Sequence, residues 1–204
     1  TMVVDGYSGV VVLNPTAKTI EDYRKKEAEY REFEETLAGL RDLPAETTDG
    51  HRVELSANVE LEEELDFIKL QGADGIGLYR SETLLIGGEV FPTEEEQCER
   101  YSKIAEAMFP KRVIIRTFDI GGDKVMTHMM RENNPFLGWR GIRVMLDKPE
   151  IFLEQLRAVL RASTRKNISI MFPMVGSIKE VRKGKQFIED AKGQLRSRGL
   201  PYDE

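Results

Sequence analysis

Short apolar runs alternate along most of the chain with longer stretches whose hydrophobic residues recur every three or four positions. The first pattern predicts strands and the second predicts helices. Four strand–helix units are predicted, and their strands are apolar enough to be covered on both faces. The predicted strands are Val53–Asn58, Gly75–Arg80, Val113–Phe118 and Ile168–Met174, and the helices after them are Glu60–Gly72, Thr93–Met108, Asp147–Ser163 and Ser177–Arg198.

Three of these helices have recognisable start signals. Thr93–Glu96 and Ser177–Glu180 have the spacing of a capping box, in which a hydroxyl and a glutamate satisfy free backbone N–H groups. Asp147 is expected to cap the third helix, with Pro149 in its first turn, where proline loses no needed hydrogen bond.

A different pattern precedes these units. Val10–Leu13 is predicted to be a short strand that ends at Asn14-Pro15. A long helix is predicted over Ala17–Leu43, with apolar residues on one face and many charges elsewhere, and Pro44 stops it. So charged a helix is expected to lie on a surface or to bridge two domains.

The alternation of strands and helices predicts an α/β fold with parallel strands joined by right-handed crossovers. A doubly wound sheet and a (β/α)8 TIM-type barrel both fit the pattern. Four units would fill half of such a barrel and leave an exposed sheet edge and an open core, so self-association is expected.

Composition narrows the class of protein. The chain has 204 residues, a formal charge of −6 and a pI near 5.2, which argue against nucleic-acid binding. No apolar run approaches the roughly 18 residues that a membrane-spanning helix needs. Cys98 is the single cysteine, which excludes an internal disulfide and fits a reducing, cytoplasmic setting. His51 and His128 lack the neighbouring ligands of a zinc site.

Arg80 and Arg116 end consecutive predicted strands. In parallel α/β folds, ligands lie beyond the carboxyl ends of the strands. Neighbouring strands are about 4.8 Å apart, so the two guanidinium groups can converge on one carboxylate or phosphate. The alternative is that each arginine pairs with a local acid such as Glu82 or Asp119.

The loop after the third strand adds candidate residues. Gly121–Lys124 lacks the layout of a nucleotide-binding loop and is interpreted as a turn. Arg140 and Arg143 would share one face of a helical segment. Trp139 is expected to fill the core rather than to stack on a guanidinium.

Taken together, these motifs resemble the Enzyme I family of the bacterial phosphoenolpyruvate–sugar phosphotransferase system. The likeness runs from about Gly9 to Gly199. The related dikinases share the arginines but are less similar around NPFLGWR. The segments that carry the resemblance are VVVLNPT, GADGIGLYRSE, FPTEEEQ, IIRTFDIGGDK, NPFLGWRGIR, LRAVLRAS and IMFPMV.

The resemblance implies a barrel that binds phosphoenolpyruvate with Mg2+, and a separate N-terminal region whose histidine passes the phosphoryl group to the carrier HPr. Arg80 and Arg116 are implied to bind phosphoenolpyruvate, and Arg140 is implied to be a further active-site arginine that stabilises charge. Residues 1–15 would end the phosphohistidine domain, 16–48 would form the linker helix, and 49–204 would form the first half of the barrel.

Parts of the family's machinery are missing from the sequence. It contains no phosphoacceptor histidine motif, and the family's Mg2+ ligands and acid cysteine lie on later strands; Cys98 is in the wrong motif to be that cysteine. Loops 83–90 and 125–131 depart from the family pattern. The chain is therefore expected to be a piece of a homodimeric parent enzyme and to be inactive alone. By itself it is expected to bind phosphoenolpyruvate at best weakly and without Mg2+.

Two alternatives remain open. The chain could be part of a related phosphoenolpyruvate-utilising dikinase or synthase, which would need a nucleotide-binding domain upstream. It could also be a stand-alone regulatory module whose arginines sense an anion.

Overall fold

A computed structural model describes residues 1–85, 91–121, 134 and 136–204, which form two compact units, Thr1–Arg52 and Val53–Glu204. His128, the loop 125–131, residues 86–90 and most of the predicted turn at Gly121–Lys124 lie outside the described residues.

The first unit begins with an antiparallel hairpin of β1 (Met2–Asp5) and β2 (Val10–Leu13), of which only β2 was predicted. The Asp5 carboxylate accepts the backbone N–H groups of Tyr7 and Ser8, at 3.1 and 3.0 Å, and so closes the turn. Tyr7 stacks on Tyr30 with 4.5 Å between ring centroids. This contact packs the turn against the helix that follows.

That helix, α1, spans Ala17–Ala38, and its start confirms the prediction. The Thr16 hydroxyl accepts the N–H of Thr19 at 3.2 Å and caps it. The predicted end at Leu43 is wrong. Gly39, which favours helix poorly, is the C-cap, and the chain continues in turns through Leu43.

The second unit contains a four-stranded sheet, and all of its neighbouring strands are parallel, as predicted. The strands lie side by side in chain order. A doubly wound sheet reverses its strand order at a switch point, whereas a barrel does not. The order therefore supports a partial TIM-type barrel. The strands are β3 (Ser56–Val59), β4 (Gly75–Arg80), β5 (Arg112–Arg116) and β6 (Ile168–Met171).

Helices cover one face of this sheet, because right-handed crossovers between successive neighbours place their helices on the same side. Among the described residues, no helix is long and apolar enough to cross a membrane. The helices are α2 (Leu65–Leu70), α3 (Glu94–Met108), α4 (Ile142–Asp147), α5 (Pro149–Ala162) and α6 (Ile178–Ser197).

The first strand–helix unit is shorter than predicted. Leu55 donates its N–H to the Asp74 carboxylate at 2.8 Å, and β3 begins one residue later. The predicted helix Glu60–Gly72 starts late because the Glu64 carboxylate accepts the N–H groups of Glu60 and Leu61, at 2.8 and 2.9 Å. A 3-10 turn then leads into α2.

Both capping boxes are confirmed, at Thr93 for α3 and at Ser177 for α6. The cap predicted at Asp147 is wrong. Asp147 ends α4, a helix that was not predicted, and its carboxylate accepts Trp139 Nε1–H at 2.8 Å. Lys148 is the N-cap of α5, and Pro149 occupies the first turn as predicted.

Two hydrophobic clusters form the core of the second unit. The first lies between the sheet and α3, and Ile76, Val113 and Ile104 are among its members. The second lies beyond the ends of β5 and β6, where Phe118 and Phe152 pack. Together they fix the carboxyl ends of the strands relative to the helices.

Glu94 binds the amino terminus of α3 to α5 and to Arg198, the residue that caps the end of α6. Its carboxylate, with 12% of the side chain exposed, contacts Arg157 at 2.6 Å, Arg161 at 3.0 Å and Arg198 at 2.9 Å. Burial alone would raise the pKa of Glu94, but hydrogen bonds from the arginines outweigh it and lower the pKa to about 2.

We expect Glu94→Gln to lower the free energy of unfolding at pH 7 by about 2 kcal/mol, because the charge-assisted hydrogen bonds are lost. A lowered folded-state pKa stabilises the fold above the unfolded value of 4.5, and that contribution disappears as the pH falls towards 2. Denaturant unfolding of both proteins between pH 7 and pH 3 should show the difference shrinking.

Glu95→Gln is the matched control, because Glu95 is 76% exposed and pairs with Arg161 at the surface. It should change stability by less than about 0.5 kcal/mol. A Glu94→Gln difference that is the same at pH 3 as at pH 7 would contradict the assignment.

Candidate functional site

Arg80 and Arg116 are direct partners across neighbouring strands, as their positions in the sequence predicted. Each is the last residue of its strand, β4 or β5, and the two Cα atoms pair in the parallel ladder. In β5, Val113 and Ile115 are buried beneath the helices. Alternation along the strand therefore places Arg116 on the opposite face. Both arginines stand at the edge where α/β folds bind ligands.

Each of these arginines contacts carboxylates, so the alternative of pairing with local acids is realised in the structure. Arg80 binds Glu60, which directly follows β3. Arg116 binds Glu82 and also approaches Asp119, with 3.4 Å between Nη1 and Oδ2. The Nε atoms of Arg80 and Arg116 are buried without a hydrogen-bond partner among the described residues. These arginines thus retain donors in addition to those that bind the acids.

Arg140 joins the same cluster through Asp119. Its Nε and Nη2 donate to Asp119 Oδ1 and Oδ2 at 2.8 and 3.2 Å, a two-pronged contact. The Asp119 side chain is 3% exposed and is shared by Arg116 and Arg140. The Arg140 guanidinium also lies 4.8 Å from the centre of the Phe136 ring. One buried carboxylate therefore holds two of the three candidate arginines together.

Gly141 sets the backbone next to Arg140. Its N–H donates to Ile120 O at 3.0 Å, beside an isolated antiparallel bridge between Gly121 and Arg140. Its φ is 60° and its ψ is −127°, a conformation that side chains rarely adopt. A Cβ at this position would lie 3.0 Å from Pro173 O. Only glycine allows the chain to pass this close to the segment after β6.

Arg143 does not join the arginine cluster. It lies within α4 and donates to the carbonyl oxygens of Gly138 and, at 3.2 Å, Met174. It therefore supports the loop that carries Arg140. Trp139 is half-buried and packs against the second core cluster, in agreement with the predicted core position.

Sequence reasoning missed several residues that shape the site. Glu60, the partner of Arg80, was assigned to a helix. Ser81 and Gln155, both fully buried, hydrogen-bond to each other at 3.0 Å, and Ser81 directly follows Arg80 and donates to Arg116 O. A signal for Gln155 was present, because it is a polar residue three positions after Phe152 on the apolar face of α5.

The cluster has a balanced charge, with three arginines and the three carboxylates of Glu60, Glu82 and Asp119. Over residues 1–85, 91–121, 134 and 136–204, no group of three or more histidine, cysteine, aspartate or glutamate side chains could hold a metal ion. The carboxylates instead serve as partners of the guanidinium groups. An anionic ligand could replace these carboxylates as the partner of the guanidinium groups.

A strand-end cluster of arginines in a parallel α/β unit has the donors that a carboxylate or a phosphate needs, at the end of the sheet where such folds bind ligands. The family described as PEP-utilising enzyme, PEP-binding domain, matches residues 34–204. The chain belongs to this family.

Individual relatives agree with the family match. The chain is 47% identical over 201 residues to a phosphoenolpyruvate-protein phosphotransferase of Staphylococcus carnosus, covering 98% of the chain and 35% of the relative. It is 46% identical over 204 residues to that of Haemophilus influenzae, covering 99% and 36%. For Priestia megaterium, the identity is 42% over 205 residues, covering 100% and 36%. The chain thus spans about a third of the length of the curated relatives it matches.

We expect Gly141→Ala to destabilise the second unit by about 1–3 kcal/mol, because alanine disfavours this conformation and its methyl group meets Pro173 O. The midpoint of denaturant unfolding measures the loss.

Gly193→Ala is the control with the opposite sign. Gly193 lies within α6, and a Cβ there meets nothing within 4 Å. Alanine should therefore stabilise the protein by up to about 1 kcal/mol. A stabilising Gly141→Ala would show that the backbone beside Arg140 is not constrained in this way.

Proposed function

We propose that this chain carries the arginine part of the phosphoenolpyruvate site of a phosphoenolpyruvate–protein phosphotransferase. The observation that carries the proposal is the pairing of Arg80 with Arg116 across neighbouring strand ends, with Arg140 joined to Arg116 through Asp119. The proposed reaction is taken from the names of the relatives. The strand-end arginines have the N–H donors that an anionic substrate needs.

In the proposal, Arg80 and Arg116 bind the phosphate and carboxylate groups of phosphoenolpyruvate. Their guanidinium groups offer paired N–H donors that match both groups. Arg140 stabilises the negative charge that moves with the phosphoryl group. Glu60 and Glu82 occupy Arg80 and Arg116 when no anion is bound, so binding exchanges one anionic partner for another. Because breaking these ion pairs costs free energy that the bound anion must offset, this half of the site should bind weakly.

The remaining functions are proposed to lie outside this chain. A histidine elsewhere in the parent enzyme would receive the phosphoryl group and pass it to HPr, for sugar uptake. Mg2+ would neutralise phosphate charge, held by ligands beyond these residues. The parent is proposed to be a cytoplasmic homodimer, and this chain is proposed to be inactive alone.

The domain division is also part of the proposal. Residues 1–15 would end the phosphohistidine domain, 16–48 would link it to the barrel, and 49–204 would form half of the barrel. The two compact units support the boundary between the linker and the barrel segment, since the first unit ends at Arg52 and the second begins at Val53.

Arg80→Gln and Arg116→Gln are each expected to weaken phosphoenolpyruvate binding about tenfold, the effect of losing one charge-assisted hydrogen bond. Titrations followed by two-dimensional NMR detect weak binding and verify that each variant is folded.

Arg165→Gln is the matched control, because Arg165 is 55% exposed, pairs with Glu106 and is not part of the arginine cluster. It should bind phosphoenolpyruvate as the wild type does. Equal affinities for all four proteins would exclude Arg80 and Arg116 from the site.

Removing Mg2+ should not change phosphoenolpyruvate binding by this chain, because the proposed ligands of Mg2+ lie outside these residues. Titrations in the presence of excess EDTA test this point against titrations with added Mg2+. Tight binding that requires Mg2+ would show that this chain completes the metal site, which would contradict the proposal.

A further inference from the structure

One buried side chain is bonded to the ends of both strands that carry the candidate arginines. Gln155 on α5 is fully buried. Its Nε2 donates to Ser81 Oγ at 3.0 Å and to Tyr101 OH at 3.2 Å, and its Oε1 accepts the N–H of Phe118 at 3.0 Å. All hydrogen-bonding groups of the amide apart from one acceptor lone pair are thereby used.

These partners are adjacent to the arginines. Ser81 directly follows Arg80, and Phe118 lies two residues after Arg116. Ser81 also donates its hydroxyl to Arg116 O at 2.6 Å. The hydrogen-bonded path therefore runs from the end of β4 to the end of β5 and closes through α5.

The backbone hydrogen bonds between β5 and β6 end at Thr117, and the next backbone N–H bonds to Gln155 instead. Thr117 donates its N–H to Met171 O at 2.9 Å, but the next N–H, on Phe118, donates to Gln155. Gln155 shares the apolar face of α5 with the buried residues Phe152 and Leu156. A hydrophobic residue would suit that face, but it would leave buried polar groups unpaired.

We infer that Gln155 is a positioning residue that sets the placement of Arg80 and Arg116 relative to each other. The consequence for phosphoenolpyruvate rests on the proposed function, whereas the placement of the arginines does not. The competing explanation is that Gln155 only stabilises the fold.

Asn167 provides a control that separates these explanations. It is another buried amide, and its Nδ2 donates to Ala105 O at 2.9 Å and Lys111 O at 3.0 Å. It accepts Val113 N–H through its backbone, at the end of β5 opposite to Arg116. Asn167→Leu should destabilise the protein without affecting the arginines.

The experiment compares Gln155→Met, Asn167→Leu and the wild type by NMR of the arginine Nε–H groups. Arg80 and Arg116 signals are assigned from the glutamine variants of these residues. Gln155→Met, which conserves volume, should shift or broaden both signals and weaken phosphoenolpyruvate binding about tenfold. Asn167→Leu should leave both signals and the affinity unchanged, despite its lower unfolding midpoint.

Ser81→Ala is a smaller change that tests the same path if Gln155→Met does not fold. It removes the hydroxyl that joins Gln155 to Arg116 O, so the Arg116 signal should shift. Unchanged arginine signals in the folded variants would overturn the inference, as would shifts of equal size in Asn167→Leu. If the wild type fails to bind phosphoenolpyruvate, the proposed function fails for this chain, and the arginine signals still decide the role of Gln155.

Discussion

The arrangement of the site depends on the burial of one negative charge, that of Asp119. A carboxylate with 3% of its side chain exposed is stable only if cations or hydrogen-bond donors surround it. Arg116 comes from the end of β5 and Arg140 from the loop before α4, and Asp119 holds both. Backbone contacts join the same two segments, because Gly141 donates its N–H to Ile120 O and Gly121 forms a bridge with Arg140. Replacing Arg140 would remove two hydrogen bonds to this carboxylate, and replacing Arg116 would remove a positive charge 3.4 Å from it.

This constraint shapes how the site can respond to an anion. Arg140 is fixed by a bidentate contact with a buried partner, whereas Arg80 pairs with Glu60, and both side chains of that pair are more than 40% exposed. Exposed pairs contribute little to stability and are screened by salt. The arginines therefore differ in how readily they can leave their carboxylates. In the proposed binding of phosphoenolpyruvate, Arg80 would therefore exchange its partner most readily, and Arg140 would stay bound to Asp119.

The sequence was sufficient to predict what depends on periodicity and on local signals. Strand-end positions placed Arg80 beside Arg116, and the capping boxes located the starts of α3 and α6. The six-residue helix α4 is too short for a periodic pattern to reveal it. Contacts between residues distant in the sequence were not predictable either, since Ser81 and Gln155 are 74 positions apart. Glu60 was predicted to begin a helix. The helix starts later because the Glu64 carboxylate accepts the N–H groups of Glu60 and Leu61.

The position of the single tryptophan gives this site its own optical signal. Trp139 precedes Arg140, and its indole N–H is anchored to Asp147. Indole emission depends on the polarity and charge around the ring. Because Trp139 is the single tryptophan, all tryptophan fluorescence comes from a side chain next to the arginine cluster. Rearrangement of the cluster can therefore be followed in unlabelled protein, on the millisecond timescale of stopped-flow mixing, without introducing a dye.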